Sequence, residues 1–110
     1  MNVRLYLWQR ATAAIMAPLV VVHLAVIFYA MHKGLSAADI LARTRGSIAW
    51  ATFYGVFVCA AAIHASIGVR TILGEWLAFT GKPRDVAVVV FGLSLAVLGL
   101  RAVAAVVLPW

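Results

Sequence analysis

At 110 residues, 66% of them hydrophobic and 11% charged, with a mean hydropathy of +1.09, the chain is too apolar for an ordinary water-soluble domain. The net charge of +6 does not point to nucleic acid, because the basic residues sit at the ends of apolar runs and not in a patch interleaved with aromatics. The composition is that of an integral membrane protein, and the class it predicts is all-α: a bundle of three transmembrane helices forming one domain over residues 1–110.

Residues 1–9 mix Arg4, Tyr6 and Trp8 into apolar sequence, as a segment at the lipid headgroup level does, and Arg10 marks the boundary. The first span is expected over about residues 11–31. A secretory leader is not expected, because the apolar run is too long and no small-residue cleavage site follows at Tyr29 to Gly34. Inside this span Pro18 lacks an N–H and frees the carbonyl of Ala14. His23 lies thirteen residues beyond Arg10, about 20 Å along a helix and so within the bilayer.

The loop from His32 to Gly46 contains Ser36-Ala-Ala-Asp39, a capping box followed by Ile40, Leu41 and Ala42, and predicts a short interfacial helix ending near Arg43 to Arg45. Lys33, Arg43 and Arg45 read as solvated or phosphate-facing charges. The second span covers about residues 47–73 and carries the lone Cys59, read as a small packing residue, and His64. His64 stands eleven residues before Glu75, about 16 Å from the edge where Arg70, Glu75 and Trp76 collect. Both histidines are therefore expected at mid-membrane depths.

Gly81-Lys-Pro-Arg84 marks a turn before the third span, about residues 86–108, in which Gly92, Ala96 and Gly99 form a row of small residues that lets another helix come close. Arg101 can snorkel to the far interface, and Pro109-Trp110 reads as an aromatic anchor. Five basic residues (Arg4, Arg10, Arg70, Lys82, Arg84) fall on the side of the N-terminus against four (Lys33, Arg43, Arg45, Arg101) opposite, which favours a cytoplasmic N-terminus.

No hydrolytic triad, phosphate loop or zinc cluster is visible, and no catalytic residue is assigned. An ionisable side chain inside a bilayer pairs, binds something or lines a polar path. For His64 that leaves axial ligation of a haem, an interhelical hydrogen bond or a proton path. Its same-face neighbours Ala60, Ala61, Ile67 and Gly68 leave a notch that suits either a macrocycle or a neighbouring helix. His23 sits among bulkier Leu19, Val20, Val26 and Ile27. At the charged edge, Arg10 and Arg70 can pair with haem propionates, while Thr12, Glu75 and Trp76 can supply donors or proton-exchanging groups to a quinone headgroup. Three thin spans offer little interior, so burial of a polar site calls for partner helices.

Gln9-Arg-Ala-Thr-Ala13, then His64-x-x-x-Gly68-x-Arg70, then Glu75-Trp76 resemble the small membrane-anchor subunits of succinate dehydrogenase and fumarate reductase, over all three spans and their spacing. The resemblance implies an anchor that works with a second hydrophobic subunit or like chain, an iron–sulfur subunit and a flavoprotein in the bacterial inner membrane. It binds haem b and helps to form a quinone site, while succinate chemistry lies elsewhere. His64 then matches an axial ligand of haem b, its trans ligand usually coming from the partner anchor, and Arg10 matches an arginine near the quinone and propionates. Glu75-Trp76 stands where the family usually has aspartate and tyrosine, and an indole cannot exchange a proton as a phenol does. Di-haem members carry a first-span histidine ahead of the second-span ligand, at a spacing like the forty-one positions between His23 and His64, so the resemblance makes His23 the candidate ligand of a second haem. The rival expectations are a haem-free structural anchor, with both histidines hydrogen-bonded across helices, and a small proton-conducting or transport oligomer.

Overall fold

The computed structural model describes residues 2–109 and contains four helices in the order α1 (Val3–Lys33), α2 (Ala37–Thr44), α3 (Ile48–Trp76) and α4 (Lys82–Val107). Three of them, α1, α3 and α4, are long and apolar enough to cross a membrane. Trp110, expected as an aromatic anchor, lies outside the described residues.

Each helix starts and stops where its sequence supplies a partner for orphan backbone groups. Asn2 caps α1 by accepting from Leu5 N at 2.8 Å, and Gly34 closes it with its N–H on Ala30 O. The capping box forms as expected: Ser36 Oγ accepts from Asp39 N at 3.1 Å and donates to Asp39 Oδ2 at 2.6 Å, and α2 ends at Thr44. Ser47 caps α3 through Trp50 N. Within the spans, hydroxyls are satisfied by their own helix, Ser66 on Ala62 O, Thr71 on Ile67 O and Ser94 on Val90 O. No water is needed to satisfy them.

The helices outrun the sequence boundaries at one end of the bundle. Residues 3–9, expected as a headgroup-level segment, continue α1 as one 31-residue helix about 46 Å long, because no breaker separates them from the span. The C-terminus of α3 and the N-terminus of α4 likewise reach Trp76 and Lys82, where Pro83 suits the first turn of a helix and Gly81 precedes it.

α3 is the central helix: it packs on both α1 and α4, which meet each other little. The small-residue row of α4 makes its contact possible. A Cβ on Gly92 would fall on Ser66 Oγ, and one on Gly99 would lie 2.5 Å from Val58 Cγ1, so the expected close helix–helix approach is the α3–α4 seam of this chain itself. At the other end α2 and its following loop hold α4: Thr44, buried, donates to Val106 O at 2.6 Å, and Gly46 N donates to Val107 O. Those two carbonyls belong to the last turn of α4 and have no intrahelical donor.

The interior is small. Among the described residues Ala30, Ala60, Ala62, Ile67, Val88 and Val107 are the buried apolar ones, and no large side chain is fully enclosed. Val21, Phe28, Leu93 and Leu98 face outward, as lipid or partner helices require. Cys59 is also exposed on this chain, where it lines an open apolar groove of about 550 Å³ with Trp8, Ser66 and Gly92.

Candidate functional site

The antiparallel packing of α1 on α3 sets His64 opposite Thr12 and His23 opposite Tyr54 and Phe57. Thr12 and His23 are eleven residues apart on α1, about 16 Å of rise, so the two histidines occupy separate levels. His64 lies in the half of the bundle that holds the N-terminus and the α3–α4 turn, His23 in the half that holds α2. The two histidines expected within the spans are thus about 16 Å apart along the bundle.

At the His64 level the seam is polar and closed. His64 Nδ1 is 3.2 Å from Thr12 Oγ1, which in turn lies 2.8 Å from Trp8 O and 3.1 Å from Gln9 O. Thr12 is only 3% exposed. The neighbours expected to form a notch are largely used by the chain itself: Ala60 and Ile67 are buried, and a Cβ on Gly68 would lie 3.6 Å from Gln9 Nε2. Gln9 Oε1 is buried with no hydrogen-bond partner. Thr12 thus meets the imidazole from α1 and Gln9 covers Gly68, which sequence spacing does not reveal because they lie more than fifty positions away on another helix.

At the His23 level the seam is aromatic. The imidazole meets Tyr54 and Phe57 edge-on, with ring centroids 6.1 and 5.4 Å away. Trp50 stacks on Tyr54, and Phe53 extends the cluster. His23 Nδ1 is buried and has no hydrogen-bond partner. A cavity of about 390 Å³ opens beside it, bounded by Thr44, Val58, Ala61, Gly99 and Val103. An unpaired buried nitrogen is costly and marks a place where a partner is missing.

The charged edge lies beyond His64. Arg70 Nε is 3.7 Å from Asp85 Oδ1, and Arg84 Nη2 is 3.2 Å from the same oxygen. One carboxylate thus serves two guanidinium groups, and a second carboxylate, Glu75, lines a cavity of about 150 Å³ there with Thr71 and Thr80. Arg10 is not part of this corner: it folds onto Tyr6, its Cζ 5.5 Å from the ring centroid and its Nη1 donating to the phenol oxygen at 3.2 Å. Trp76 ends α3 and is 81% exposed. Arg84 entered the sequence reading only as a turn and topology residue and Asp85 not at all, although an Arg-Asp pair at the first turn of a helix is a visible signal for a fixed corner.

Among the described residues no three His, Cys, Asp or Glu side chains gather as a metal centre. A haem iron asks a histidine for one nitrogen lone pair, with the other nitrogen held by a hydrogen bond. His64 fits that demand through Thr12, and His23 fits it through its unpaired nitrogen beside an apolar cavity.

The fold and site define a polytopic membrane subunit with a minimal interior, two imidazoles in its helix seams and an arginine-rich edge. The sequence profile of the succinate dehydrogenase/fumarate reductase transmembrane subunit family matches residues 2–108, and the chain belongs to that family. It is the membrane-anchor component of such a complex. No curated protein and no solved structure matches the chain.

Proposed function

We propose that this chain is the haem- and quinone-binding anchor of a succinate:quinone oxidoreductase. The observation that carries the reading is the His64 imidazole, held at one nitrogen by Thr12 in the α1–α3 seam, with Thr12 its hydrogen-bond partner among the described residues. His64 is the axial ligand of haem b, and His23, with its orphaned nitrogen, is the ligand position of a second haem. A second hydrophobic anchor would complete the haem sites, and its helices would cover the outward faces that this chain leaves open. When bound between two imidazoles, haem b relays single electrons and leaves iron no open position for oxygen.

Arg70 and Arg10 supply positive charge for propionates near the His64 level. At the same edge Arg10, Glu75 and Trp76 serve the quinone, which takes up two electrons and two protons to become quinol; Thr12, the fourth group expected there, has its hydroxyl committed within the seam. The Glu75 carboxyl can pass protons, whereas Trp76 can only donate a hydrogen bond. Electrons arrive from the iron–sulfur subunit or return to it, and succinate is handled by the flavoprotein. The N-terminal end, with five of the nine basic residues, faces the cytoplasm of a bacterial inner membrane.

The test is purification of the complex through a tag on this chain, followed by a pyridine haemochrome assay. Co-purifying flavin and iron–sulfur subunits with b-type haem are expected. A complex that holds those subunits but no haem reduces the chain to a structural anchor, and proton flux by the chain alone in liposomes makes it a conductor.

A further inference from the structure

The Thr12 hydroxyl faces three acceptor or donor atoms at once: Trp8 O at 2.8 Å, Gln9 O at 3.1 Å and His64 Nδ1 at 3.2 Å. A hydroxyl owns one proton and two lone pairs, whereas a carbonyl oxygen can only accept. The shortest of the three contacts is to a carbonyl, so the proton is placed there. What the oxygen then presents to His64 is a lone pair. The imidazole hydrogen must sit on Nδ1, and the ring lone pair is left on Nε2.

From this we infer that Thr12 is a positioning residue for His64: it fixes the Nδ1–H tautomer and the rotation of the ring, so that Nε2 is the nitrogen offered to iron. The inference rests on the haem reading above and assigns to Thr12 a task different from the quinone contact that its sequence position suggests. The opposite tautomer would draw the threonine proton away from the Trp8 carbonyl. Thr12 is preorganised for the task, because a helical threonine bonds back to the i−4 carbonyl in a preferred rotamer and the β-methyl restricts its escape. Its burial excludes water as a substitute donor or acceptor. The arrangement is the one by which metal-bound histidines hold their second nitrogen, here with a side-chain hydroxyl as the outer partner.

The test compares the assembled complex carrying wild-type Thr12, Thr12→Val, which keeps the shape and loses the oxygen, and Thr12→Ser, which keeps the oxygen. Haem content measured first separates the two levels of the claim: a wild-type complex with no b-type haem overturns the haem reading itself. With haem present, Thr12→Val should speed haem transfer to excess apomyoglobin by about tenfold or more, the loss typical of an outer-shell partner. It should also move the low-spin electron paramagnetic resonance signal, and Thr12→Ser should restore both. Wild-type haem transfer and an unmoved signal in Thr12→Val overturn the positioning role. Should Thr12→Val fail to assemble, ¹⁵N spectra of the histidine-labelled wild-type chain decide: a protonated Nδ1 on His64 supports the inference, and a protonated Nε2 in the haem-free chain ends it.

Discussion

The two histidines of this chain sit in opposed surroundings. His64 is gripped by a threonine hydroxyl, in a seam where polar atoms find one another across two helices. His23 stands edge-on to aromatic rings with a buried nitrogen left unpaired beside a cavity. The difference teaches that a histidine in a membrane span is not one kind of feature. Held at one nitrogen, it is oriented before any ligand arrives; left unpaired, it carries a free-energy cost of about 1–3 kcal/mol until something meets it. The first environment favours a fixed geometry and the second a site completed from outside.

The largest expected effect tests the oriented histidine. His64→Ala should abolish the low-spin haem spectrum associated with that level, read by low-temperature absorption of the purified complex, and a retained spectrum would remove the assignment. Next comes the unpaired one. His23→Ala should lower the haem-to-flavin ratio by half, since it removes one of two ligand positions; an unchanged ratio would leave His23 to packing and break the comparison at its second term. Smaller still is the effect of Thr44→Val beside the His23 cavity. It deletes the bond to Val106 O and should destabilise that end by about 1 kcal/mol. A lowered thermal midpoint with an intact His64 signal would show that the two levels are supported separately.

Much of the scaffold was legible because it depends on short-range rules. The three apolar runs became α1, α3 and α4, the Ser36-Asp39 box became the start of α2, and the small residues of α4 became a close seam. What stayed hidden depends on register between helices. Nothing in the local pattern around Thr12 says that it will face His64, and the pattern around Asp85 does not say that Arg70 will share its oxygen with Arg84. Residues 3–9 carry the aromatic and basic residues of an interface and are helical as well, because an interface does not end a helix whose backbone has no breaker.

The back-bond from Thr12 to Trp8 has a consequence for how the chain is made. α1 leaves the ribosome and enters the bilayer while the residues of α3 are still unsynthesised, so its one buried hydroxyl must wait among lipid tails. It waits at little cost, because its proton is already placed on a carbonyl of its own helix. When α3 follows, its imidazole enters as an N–H seeking an acceptor, and the waiting threonine oxygen is that acceptor. The Thr12–His64 pairing is therefore one in which the earlier partner is satisfied alone and the later one is not, which gives the order of synthesis a direction that the folded bundle can use.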